Sequence, residues 1–124
     1  MNILTVDDSL TMLEMVVSTL AEAGHKVFDA DNGARAMELL GHEDIDLIIC
    51  DLNMPNMSGL ELLQKVRESA AHMGTPLVFL TTETDSELKR AARQSGATAW
   101  VGKPFDPVTL VKLVEQLGQG QSQR

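Results

Sequence analysis

The chain has 124 residues, 44% of them apolar, with 18 acidic against 10 basic side chains and a formal charge of −8. That length supports one domain with a real core and is too short for two. The acidic balance argues against nucleic-acid binding, which needs a basic face, and no apolar run approaches the roughly 20 residues that span a bilayer.

The N-terminus opens into Asn2-Ile3-Leu4-Thr5-Val6 with no basic segment before it, so no signal peptide and no membrane insertion are expected. The first apolar run, Ile3–Val6, ends in Asp7-Asp8-Ser9. A helical pattern follows, with Leu13, Val16, Val17 and Leu20 on one face, Asp8 or Ser9 as cap and Gly24 as C-terminal glycine. Further short runs stand at Lys26–Ala30 and Asp46–Cys50, the latter leading into Asp51-Leu52-Asn53-Met54-Pro55. Cys50, the single cysteine, reads as a buried small hydrophobe, which suits a reducing, cytoplasmic setting. Leu77–Leu80 is followed by Thr81-Thr82, then by a helical face of Leu88, Ala91, Ala92 and Ser95 that stops at Gly96. Thr98–Val101 runs into Gly102-Lys103-Pro104-Phe105, and Pro107 opens a last helix with Leu110, Leu113, Val114 and Leu117 inward. Residues 118–124, GQGQSQR, read as a flexible tail or the stub of a linker.

Runs this short and this rich in Val, Ile, Leu and Phe suit strands buried on both faces. Five such runs alternating with helical segments predict an α/β domain, a parallel sheet with helices on both faces. Ligands in such sheets bind beyond the carboxyl ends of the strands, where strand order reverses. If strands one and three are neighbours, Asp7, Asp8 and Asp51 converge there, with Thr81 and Lys103 facing them from strands four and five. Three clustered carboxylates repel one another, and a hard cation such as Mg²⁺ relieves this through oxygen ligands. One carboxylate is then free to act as a nucleophile toward phosphorus, with Lys103 and Thr81 meeting the charge of the phosphoryl oxygens. Taken singly, Asp7 and Asp8 could be a loop and a cap, Asp51 turn chemistry and Lys103 a surface lysine; the four placements together carry the reading.

These motifs, Val6-Asp7-Asp8, Asp51-Leu52-Asn53-Met54-Pro55 with Gly59, Leu80-Thr81-Thr82 and Lys103-Pro104-Phe105, resemble the response-regulator receiver domains of two-component signalling. The likeness is strongest to the family's free-standing chemotaxis members. It runs from Asn2 to about Leu117, giving a receiver domain over residues 1–117. It implies five strands in the order 2-1-3-4-5 with five helices, the flavodoxin-like arrangement. It also implies that Asp51 accepts a phosphoryl group from a phosphohistidine of a sensor histidine kinase or a histidine phosphotransfer protein. Asp7, Asp8, Asp51 and the Asn53 carbonyl would hold Mg²⁺, while Lys103 and Thr81 would meet the phosphate. The Lys103–Pro104 bond is expected to be cis. Glu83 and the Asn53 side chain stand where family members tune water access. Trp100 occupies a switch position that is Tyr or Phe in many members. The expected output is altered binding of a downstream protein through the fourth helix, fifth strand and fifth helix, in chemotaxis, a phosphorelay or a phosphate sink.

Three other functions fit less well. A haloacid-dehalogenase-type phosphatase wants an Asp two residues after the nucleophile, where this chain has Asn53. No enzymatic turnover beyond the chain's own phosphorylation and dephosphorylation is therefore expected. A flavin or nucleotide module would carry a Gly- or Ser-rich first loop in place of Asp7-Asp8, and no phosphate-cradling G-x-x-x-x-G-K-[ST] pattern is present. A receiver-like interaction domain that no longer uses phosphorylation would have lost acceptor or metal residues, and none is lost here.

Overall fold

The structure, a computed structural model, describes residues 1–122. Strands and helices alternate: β1 (Asn2–Val6), α1 (Leu10–Glu22), β2 (Lys26–Ala30), α2 (Gly33–His42), β3 (Leu47–Cys50), α3 (Gly59–Glu68), β4 (Leu77–Thr81), α4 (Ser86–Gln94), β5 (Ala99–Gly102) and α5 (Pro107–Ser122). All strand pairs are parallel and the order is β2-β1-β3-β4-β5. The α/β expectation and its strand order therefore hold.

Each interior strand splits its side chains between two cores by its period of two. Leu4 and Val6 of β1, Ile48 and Cys50 of β3, and Leu77 and Phe79 of β4 meet α2, α3 and α4 on one face. Ile3, Leu47, Ile49 and Leu80 meet Val16 and Leu20 of α1 and Leu110 and Val114 of α5 on the other. Burying each such side chain contributes about 1.5–3 kcal/mol, so helices on both faces follow directly from strands apolar on both faces. Burial on both faces fails at the sheet edges. β2 and β5 are only partly buried, because each has a strand neighbour on one side only.

Local chemistry fixes the helix starts. Ser9, Asn32, Ser58 and Asp85 accept from the backbone N–H groups of Met12, Arg35, Glu61 and Leu88. Ser9, not Asp8, thus caps α1. Asp106 does the same for α5 through the Thr109 N–H at 3.0 Å. Gly24 and Gly96 follow α1 and α4 with φ of 93° and 107°, a region that L side chains avoid.

One boundary differs from the sequence reading. α5 continues to Ser122, so residues 118–122 are helical instead of beginning a tail at 118. The Met1 side chain packs on the bare Cα of Gly118, where a Cβ would lie 2.6 Å from Met1 Cε. Glycine costs a helix about 1 kcal/mol relative to alanine, but the intervening glutamines are good helix formers. Residues 123 and 124 of the expected tail lie outside the described residues.

Candidate functional site

The sheet ladder runs past the strand ends and fixes three site residues through their backbones. Asp7 N donates to Ala30 O at 3.1 Å, Asp51 N to Val6 O at 2.9 Å and Lys103 N to Thr81 O at 3.0 Å. Because β1 and β3 are neighbours and strand order reverses there, the crevice at their carboxyl ends collects Asp7, Asp8 and Asp51. One oxygen from each of the three lies within 4.8 Å of the others. Asp7 and Asp51 are buried, at 3% and 7% exposure, while Asp8 is open to solvent.

Lys103 is the cation of the site, and it is not shared evenly. Its Nζ lies 2.7 Å from Asp7 Oδ2 and 3.6 Å from Asp51 Oδ2. The other oxygen of Asp7 accepts from Ser9 N at 2.9 Å, which holds the carboxylate in that orientation. Asp51 is consequently under-compensated. Burial pushes its carboxyl above the usual range, Lys103 opposes this, and Asp7 adds to it. The Thr81 hydroxyl and the Asn53 N–H also favour the ionised form, without cancelling the rise. Two buried acids on one lysine, with a third carboxylate at the mouth, form an all-oxygen donor set short of positive charge. Such a set fits Mg²⁺.

The remaining candidates divide. Thr81 is 1% exposed and its Oγ1 accepts from Glu83 N at 3.1 Å. The Glu83 carboxylate folds back onto its own turn, accepting from Thr84 N at 3.2 Å and Asp85 N at 3.1 Å. Asn53 is exposed beside Asp51. The Lys103–Pro104 bond is cis, as expected, and Pro104 faces solvent. Trp100 takes no part in the acidic cluster. It lies half-buried on the α4 side, edge-on to Phe79 with ring centroids 5.9 Å apart and Lys89 Nζ 5.6 Å from its ring centroid.

Two contributors escaped the sequence reading. Ser9 was legible as a cap but not as the donor that orients Asp7. Gly59 reads as a turn glycine, yet it is the first residue of α3 and the loop's positive φ belongs to Asn56 at 72°. A Cβ on Gly59 would collide with the Asp51 carbonyl and lie 2.8 Å from Phe79 Cε1, so its bareness lets α3 close on the acceptor strand. Its position eight residues after Asp51 was the available signal. Beneath the site, Cys50 Sγ donates to the Asp51 carbonyl at 3.0 Å, and burial pushes its thiol far up, so it remains protonated. Met54 is buried in the core and Met57 packs against it, as gap-filling thioethers do.

Known proteins resemble this chain in sequence and in fold. The family described as the response regulator receiver domain matches residues 3–115. A chemotaxis protein CheY homolog of Campylobacter jejuni is 39% identical, over 99% of this chain and 97% of that protein. Chemotaxis protein CheY1 of Helicobacter pylori is 36% identical, over 93% and 94% respectively. The solved structure of Vibrio cholerae chemotaxis protein CheY4 superimposes with a TM-score of 0.90 at 40% identity, covering 94% of this chain and 97% of that one. Matched in sequence and in fold over nearly its whole length, the chain belongs to the response-regulator receiver domains.

Proposed function

We propose that this chain is a phosphorylation-switched regulator that accepts a phosphoryl group on Asp51 and passes the signal on by binding a protein. The observation that carries the reading is the buried, under-compensated Asp51 carboxylate 3.6 Å from Lys103, beside two further acids. An Asp51 oxygen attacks the phosphorus of a donor phosphohistidine. A P–O bond forms and the P–N bond breaks, its electron pair staying on the imidazole nitrogen. Lys103 shifts from Asp7 toward the phosphoryl oxygens, and the Thr81 hydroxyl turns to donate to one of them. Mg²⁺ held by Asp7, Asp8, Asp51 and the Asn53 carbonyl would supply the remaining neutralisation of charge. Hydrolysis of the acyl phosphate resets the domain, so it turns over no separate substrate.

The phosphoryl donor is a sensor histidine kinase or a histidine phosphotransfer protein, in the cytoplasm. The output face is α4, β5 and α5, where Lys89, Arg90 and Arg93 stand exposed on an otherwise acidic chain of net charge −8. The names of the similar proteins favour chemotaxis as the pathway. The test is intact mass after incubation with a small-molecule phosphodonor, with and without Mg²⁺, beside Asp51→Asn. A Mg²⁺-dependent gain of one phosphoryl group, absent in the variant, is expected. No gain with any of several donors would leave an interaction domain that does not use phosphorylation.

A further inference from the structure

α4 is about 13 Å long and lightly held along its length, since Ala92 is its one buried residue among those described. Its attachments are concentrated at its two ends, and the ends are built differently. Apart from Leu88, which packs half-buried against the core, the N-terminal end hangs on a short chain of hydrogen bonds that starts in the acidic site. Thr81 Oγ1 accepts from Glu83 N, Glu83 Oε1 from Asp85 N, and Asp85 Oδ1 from Glu87 N at 2.8 Å and Leu88 N at 3.4 Å.

The C-terminal end is clamped. Arg67, near the end of α3, donates to Gly96 O from Nε at 3.1 Å and from Nη2 at 2.8 Å. Its Nη1 donates to Thr75 O at 2.7 Å and His72 O at 3.2 Å, in the connection from α3 to β4. A planar fork thus ties three loop carbonyls together, a geometry that lysine cannot reproduce. Gly96 is shaped to this clamp. Its φ is 107°, and a Cβ there would stand 2.9 Å from Arg67 Nε. Immediately beyond it, Ala97 N donates to Ala92 O and Thr98 N to Leu77 O, fixing the turn to helix and sheet.

We propose that Arg67 is a positioning residue that hinges α4 at Gly96, so that movement of Thr81 swings the N-terminal end of the helix while its C-terminal end stays in place. The inference rests on phosphorylation of Asp51 as proposed above. A hinged helix changes its angle to β5, and the Lys89 to Trp100 contact on its flank changes with it. Trp100, the sole tryptophan, reports that change.

Amide exchange in the wild-type chain, with and without Mg²⁺ and beryllofluoride as phosphoryl mimic, tests the hinge directly. Exchange at Glu87 and Leu88 is expected to change about tenfold or more, and exchange at Ala97 and Thr98 by less than about twofold. In Arg67→Lys and Arg67→Met, phosphoryl uptake by intact mass should stay within about twofold of wild type, whereas the Trp100 emission change at full occupancy should fall by about half or more. A purely structural arginine would lower the melting temperature and leave that emission change intact. Similar exchange changes at both ends of α4, with normal uptake, would overturn the hinge alone. Absence of uptake in the wild type would overturn the phosphoacceptor reading and this inference with it.

Discussion

Asp51 sits where its negative charge is poorly met, and the consequence is measurable without any phosphodonor. Its folded-state carboxyl lies above the ordinary value of 3.8, with burial as the largest cause. Below pH 3.8 the group is protonated in both folded and unfolded chains and contributes nothing to the pH dependence. As pH rises, the unfolded chain releases the proton first, so stability falls until the folded-state value is passed and the loss then levels off. Asp51→Asn removes this penalty. In chelator at pH 7 the variant is expected to melt a few degrees higher than wild type. The gap should close when both are titrated to acid, and a variant that melts lower at pH 7 would contradict the charge assignment. The identities of Asp7, Asp51 and Lys103 were legible in sequence. The preference of Lys103 for Asp7 was not, because it depends on the Ser9 N–H turning the Asp7 carboxylate.

At the scale of elements, helix starts are the most local feature and the easiest to read. A short polar residue before an apolar pattern is enough, as with Ser9 and α1. Close approach between elements is harder, since it depends on what folds opposite. Gly59 shows the difference. Gly59→Ala forces a methyl against the Asp51 carbonyl and the Phe79 ring, so α3 must withdraw or β3 must shift. Overpacking of this kind costs about 1–3 kcal/mol. Urea unfolding should show that loss as a lower midpoint with an unchanged slope. Phosphoryl uptake should slow as well, because the displaced carbonyl belongs to the acceptor residue. An alanine variant of wild-type stability would mean that the backbone there has room to spare. The partial exposure of β5 is likewise a matter of neighbours, since it pairs on one side only, whereas the exposed positions of β2 are its charged residues Lys26 and Asp29, for which the interior strands have no counterpart.

For the whole molecule, an acidic chain of net charge −8 places three of its carboxylates at one crevice. Binding a cation there favours the folded state by mass action, by about 2.7 kcal/mol at a hundredfold excess over the dissociation constant. Mg²⁺ is therefore expected to raise the melting temperature of wild type by several degrees, reversibly on chelation. Asp8 is exposed, so Asp8→Ala should melt near wild type in chelator yet gain much less from Mg²⁺. An equal gain in both proteins would move the cation site away from this cluster.

The alternation of strands and helices, the two-sided burial of the interior strands and the four strand-end motifs were all legible in the sequence. They could be read there because period, turn chemistry and capping act over a few residues. How those motifs meet depends on tertiary structure: which carboxylate Lys103 holds, and why Gly59 is bare. Tertiary structure also decided that α5 runs on to Ser122 and that Arg67 clamps the far end of α4. Each of these depends on an atom from a distant part of the chain, brought near only when β1, β3, β4 and β5 pair in order.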